Sequence, residues 1–116
     1  MATGILLDTG TNELEILEFH INGTADGQDG VERHSFGVNV AKVMEVIESP
    51  LLEPLPGAAH PSFRGLISLR GHILPVVDLA VWLGIAKQQD QRDNIIVTEF
   101  SKAVTGFVVS GVTGIH

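Results

Sequence analysis

Ser68, His72 and Asp78 stand in one short stretch and supply the nucleophile, base and orienting acid of a hydrolase triad. One reading of the chain is therefore a small hydrolase using His72 and Asp78. A triad is defined by geometry, however, and no G-x-S-x-G elbow accompanies these residues. Five histidines, at 20, 34, 60, 72 and 116, raise metal binding as a second chemistry. None forms a H-x-x-x-H or H-x-E pair, and cysteine is absent, so no ligand set emerges. "DGQDG" (26–30) lacks the alternating ligands and distant glutamate of a calcium loop, and reads better as a hairpin tip. No phosphate-cradling loop or dinucleotide fingerprint is present. The expectation is a chain without catalytic residues, cofactor or metal, working through its surfaces.

Arg70 is the residue that most needs explaining. In "GLISLRGHILPVVDL" (65–79) it stands among Leu66, Ile67, Leu69, Ile73, Leu74, Val76 and Val77. A permanent charge is costly to bury unless paired, and arginine does not escape by deprotonating. Gly71 suits the positive φ of a tight turn. Such a turn brings Arg70 to the end of a strand pair, its stem over apolar neighbours and its guanidinium outside. The fork of that group suits a carboxylate, within the domain or on a partner. Upstream, "AKVMEVIES" (41–49) read as a strand places Val43, Glu45 and Ile47 on one face. Val43 and Glu45 then form an apolar centre with a charged neighbour, a pattern that fits either a contact patch or a solvated strand edge.

The elements around these residues are mostly strands. "LEILEFHI" (14–21) alternates apolar and polar, and "VERHSFGVNV" (31–40) returns after the loop 22–30. "PLLEPLPGAAHP" (50–61) holds four of the five prolines and excludes a regular element. "GLISL" (65–69) and "HILPVV" (72–77) are strands joined at Arg70-Gly71, and Asp78 is placed to cap a short helix over 79–85. After a polar loop (86–94), "IIVTEF" (95–100) and "AVTGFVVS" (103–110) form a hairpin across Ser101-Lys102. Short strands separated by turn signals indicate a small barrel or sandwich.

The totals agree. The 116 residues are 44% hydrophobic but only 5% aromatic, which implies one domain with an aliphatic core. A net charge of −7 opposes nucleic acid or an anionic membrane as partner. No apolar run approaches the ~20 residues of a membrane helix, and no signal peptide is visible, so the expected setting is cytoplasmic.

The stretch "FRGLISLRGHILPVVDL" (63–79) resembles the signature of CheW-like domains, the adaptors of bacterial chemotaxis arrays. The matching positions are Arg64-Gly65, Leu69-Arg70-Gly71, Ile73, Pro75 and Asp78-Leu79. "FGVNVAKVMEVI" (36–47) resembles the family's upstream strand pair, and "GFVVSGVTGI" (106–115) its downstream Gly-x-x-V strand. The opening "GILLDTGTNELEILEF" is similar to the N-terminal coupling domain of CheV-type proteins. The resemblance implies an all-β fold of two five-stranded SH3-like barrels packed together, without catalytic activity. It implies a domain over 14–116 after a lead-in over 1–13. It also implies an adaptor that couples chemoreceptor cytoplasmic tips to the regulatory domain of the histidine kinase CheA, with Val43, Glu45 and Arg70 at the receptor groove. The family fold continues past its Gly-x-x-V strand, so the expectation is a fold incomplete at the C-terminus and prone to self-association through open strand edges.

Overall fold

The computed structural model describes residues 15–24, 30–50, 52, 57, 59–86 and 93–116. The lead-in (1–13), most of the loop 22–30 with its "DGQDG", and much of 50–61 and 86–94 lie outside the described residues. Among the described residues, eight strands make up two sheets, accompanied by one turn of 3₁₀ helix and one short α-helix.

The smaller sheet has the order β2-β1-β8, from β1 (Ile16–Thr24), β2 (Val31–Asn39) and β8 (Gly111–Ile115). β1 obeys the alternation read from its sequence: Leu17, Phe19 and Ile21 are buried while Glu18 and His20 face outward. The larger sheet has the order β3-β6-β7-β5-β4. Its strands are β3 (Val43–Glu48), β4 (Phe63–Leu69), β5 (His72–Asp78), β6 (Asn94–Phe100) and β7 (Ala103–Val109). Among the described residues, only β5 and β7 pair in parallel. The β6–β7 hairpin turns at Ser101-Lys102, as expected, with both residues at positive φ.

β6 explains how the halves are joined. Ile95 and Val97 point into a cluster with Leu74, Val76 and Val108, lined by Ile47, Ile67, Leu69 and Val104. Every strand of the larger sheet contributes to that interior, as the wall of a small barrel does. Ile96, between them, points the other way, into a second core with Leu17, Phe19, Val38 and Val109. The unbroken apolar run of β6 therefore reflects burial on both faces. Gly106 of β7 permits this packing, because a Cβ there would lie 2.8 Å from Ile95 Cγ2. The fold is all-β and SH3-like as expected, with a five-stranded barrel and, among the described residues, three strands in the second sheet.

Two local departures from the sequence reading affect the site. Val40–Lys42 forms a 3₁₀ turn, so the strand read over 41–49 starts only at Val43. Asn39 caps that turn, its Oδ1 accepting from the Ala41 N–H at 2.8 Å. The helix α1 (Leu79–Leu83) is shorter than the 79–85 expected, closed by Gly84 in the left-handed conformation.

Candidate protein-binding site

Arg70 and Gly71 form the two-residue turn between β4 and β5, and both take positive φ, at 51° and 79°. Gly71 was expected to do so; Arg70 does too, as a type I′ hairpin turn requires of both central residues. The turn holds the Arg70 side chain 77% exposed at the end of the hairpin. Its Nη2 donates to Glu45 Oε1 at 2.8 Å and its Nε to Glu45 Oε2 at 3.4 Å. The sequence reading left Arg70's partner open; the structure supplies Glu45.

This pair reports the shape of the sheet. In a flat sheet β3 would lie at least three inter-strand spacings, about 14 Å, from the β4–β5 turn. Contact between them requires the sheet to curl until its outer strands approach, so the pair spans the barrel mouth. The hydrogen bonds from Arg70 hold the Glu45 carboxyl below its ordinary range, partly opposed by desolvation, and Glu45 in turn raises the guanidinium. Both groups stay charged.

Val43 does not share a face with Glu45. Val43 pairs with Thr98 and Glu45 with Val97, which leaves Met44 as an extra residue in a β-bulge. The bulge turns Val43 toward the core between the sheets and Glu45 toward the barrel rim beside Ile47. Met44 and Val46 remain exposed on the strand. Of the three predicted residues, Glu45 and Arg70 are thus in direct contact at the barrel mouth, while Val43 packs on the core between the sheets.

A second arginine–carboxylate pair lies at the far end of the same hairpin. Arg64 is the extra residue of a bulge between Phe63 and Gly65. Its Nη2 and Nε donate to Asp78 Oδ2 at 3.1 and 3.3 Å. Asp78 Oδ1 accepts from the Ala80 N–H at 3.1 Å and caps α1 as expected. The Asp78 side chain is only 5% exposed, so both oxygens are committed inside the fold. Sequence reasoning placed Arg64 in the motif but missed its partner, because the contact depends on strand register.

The hydrolase alternative fails on placement. His72 opens β5 and Asp78 closes it, about 20 Å apart at the rise of a strand. Ser68 pairs with Ile73 and points to the face opposite His72, whose neighbour is Leu69. The three residues do not assemble. Among the described residues, no group of three or more histidine and acidic side chains is arranged to hold a metal.

A protein-family model described as CheW-like domain matches residues 29–116. The chain belongs to the CheW-like domain family. Chemotaxis protein CheV3 of Helicobacter pylori is 35% identical over 113 residues, covering 94% of this chain and 35% of that protein. Chemotaxis protein CheW of Thermotoga maritima is 33% identical over 103 residues, covering 89% of this chain and 61% of that protein. This CheW-like chain therefore spans about a third of the CheV3 length and somewhat over half of the CheW length. Its fold is similar to that of the scaffolding protein TtCheW from Thermoanaerobacter tengcongensis, with a TM-score of 0.66 at 24% identity, over 89% of this chain and 64% of that one. The three motifs carrying the resemblance all span junctions. They cover the β2–3₁₀–β3 bend, the β4–β5 hairpin with its capped helix, and the β7–β8 step. No helix among the described residues is long and apolar enough to cross a membrane.

Proposed function

We propose that this CheW-like domain is a cytoplasmic chemotaxis adaptor, coupling chemoreceptor tips to the regulatory domain of the histidine kinase CheA. The observation that carries the reading is the Glu45–Arg70 pair, held by a bulge and a type I′ turn and displayed at the mouth of the barrel. Two fixed charges flanked by exposed Met44 and Val46 give an apolar helix tip both a surface to cover and a polar anchor to fix its orientation. Val43 anchors the start of the same strand to the core between the sheets. The family membership and the chemotaxis relatives supply the class of partner. The domain assignment that accompanies the proposal is 14–116.

The test is binding of the chain to receptor signalling tips and, separately, to the CheA regulatory domain. Charge reversal by Glu45→Lys places two cations together and should reduce receptor binding while the fold persists. Receptor binding unaffected by Glu45→Lys would remove this pair from the receptor interface. Failure of the unmodified chain to bind either partner would overturn the adaptor reading itself.

A further inference from the structure

Among the described residues, every non-glycine residue with positive φ lies in one of two hairpin turns. Arg70 is in the β4–β5 turn, and Ser101 and Lys102 form the β6–β7 turn. The left-handed region is strained for a residue with a Cβ, and strain of this kind gathers at functional sites. Type I′ turns favour asparagine, aspartate or glycine at both central positions. Ser101-Lys102 supplies none of these, at φ 49° and 69°. Stability alone does not select that pair.

The two turns are neighbours on the barrel rim. β5 and β7 run parallel, with Val76 opposite Gly106, so both strands start at the same end of the barrel. Leu74 and Val104 enter one cluster, which carries the alignment back toward the turns. β3 also begins at this end, because Val43 opposes Thr98 near the close of β6. Lys42 closes the 3₁₀ turn just before it. The Arg70 contacts to Glu45 use Nε–H and one Nη2 proton, so three of its five donors remain. Lys102 is exposed and makes no hydrogen bond or ion pair with the described residues, and the same holds for Glu99 in the same hairpin.

We infer that Arg70 and Lys102 together receive a carboxylate-bearing segment of the receptor tip, with Lys102 as a specificity-determining residue. The inference rests on the adaptor reading and gives the tip its chemistry: apolar side chains over Met44, flanked by an aspartate or glutamate aimed at the two turns. Arg70, fixed by Glu45, presents its remaining donors in a set orientation, whereas the Lys102 ammonium is a point charge on a flexible stem. The chain carries a net charge of −7, so an acidic segment is repelled along most approaches and drawn to this rim. Charge thereby selects both the partner and its orientation.

Binding of a receptor signalling tip to the parent chain and to turn variants tests this. Lys102→Glu should weaken binding on the order of tenfold while the urea midpoint stays close to the parent value, and Lys102→Arg should retain most of the affinity. The gap between the parent and Lys102→Glu should narrow as salt rises. The double variant Ser101→Asn, Lys102→Gly should separate the two readouts, raising the urea midpoint while weakening binding. Arg33→Glu, the same charge change on the smaller sheet, should leave binding near the parent value. Double-mutant cycles of Lys102→Ala against Glu→Gln and Asp→Asn changes on the tip should find at least one coupled carboxylate. Binding that survives Lys102→Glu, or that Arg33→Glu weakens equally, overturns the inference. So does a tip with no coupled carboxylate, or a midpoint that falls in the double variant. Loss of binding in Glu45→Lys without any effect at Lys102 removes this inference and leaves the adaptor reading standing. A parent chain that binds no tip overturns both. Self-association that Lys102→Glu abolishes also overturns it, because the rim then belongs to a second copy.

Discussion

Arg64 and Arg70 stand at opposite ends of the hairpin formed by β4 and β5, and each points its guanidinium at one carboxylate. Each pair uses a β-bulge to aim one member: Arg64 is itself the bulged residue, and Glu45 follows the bulge at Met44. Their surroundings differ. Arg64 and Asp78 keep 22% and 5% of their side chains exposed, and Asp78 also caps a helix and anchors to Ser62 through its backbone. Arg70 keeps 77% and Glu45 25%. A pair removed from water leaves a costly orphan when broken, whereas an exposed pair loses little because water replaces the partner. The same chemistry therefore holds the fold together at one end of the hairpin and remains available to a partner at the other.

The sharpest way to break this contrast is at Asp78. Asp78→Ala strands Arg64 and uncaps α1 at once, and should lower stability by about 3 kcal/mol, read from the urea midpoint. Asp78→Asn retains a capping oxygen and should recover part of that loss. Next in size is Arg64→Lys, which keeps the charge but loses the two-nitrogen approach to Oδ2, and should cost about 1 kcal/mol. Midpoints unmoved by either variant at position 64 or 78 would mean that the inner pair is as dispensable as the outer one.

The two pairs were unequally legible in the sequence. Arg70 announced itself as a charge in an apolar run, and Gly71 beside it marked the turn that lets the charge out. Asp78 before "LAVWL" read as a cap because capping is local, set by residues two apart. Partner identity was beyond reach for Arg64, because Arg64–Asp78 depends on the register of β4 against β5. The bulges were hidden for a related reason. Period-two reading of "VMEVI" placed Val43 with Glu45, and nothing in the composition marks Met44 as an inserted residue. The 3₁₀ turn at 40–42 did carry a signal, Asn39 at its cap, masked by the β-branched residues on either side. Strands were legible wherever one face is solvated, as in β1. β6 was recognised from its apolar run, but its double burial depends on the packing of the two sheets.

At the outer pair the expected effect moves from stability to recognition. Arg70→Ala and Arg70→Lys should leave the urea midpoint close to the parent value, since the group is solvated. Under the adaptor proposal each should weaken receptor binding, Arg70→Ala by about tenfold, as loss of an interface arginine often does. A large midpoint shift with unchanged binding would reverse the contrast and make the outer pair structural.

The smallest effect expected, and the finest test, is the acid response of the outer pair. The Glu45 carboxyl titrates below its ordinary value in the folded protein, chiefly because Arg70 donates hydrogen bonds to its ionised form. A carboxyl with a depressed folded pKa binds fewer protons folded than unfolded between the two values, so stability rises with pH across that window. The contribution is therefore complete above the unfolded value of about 4.5 and disappears as pH falls through the lower folded value. Arg70 stays charged throughout and sets no limit of its own. Stability of the parent and of Glu45→Gln, measured from neutral pH downward, should differ by a small constant amount above the window and converge below it. A gap that widens on acidification would mean that protonated Glu45 is the better partner in the fold, and the two ends of the hairpin would then differ in more than their exposure to water.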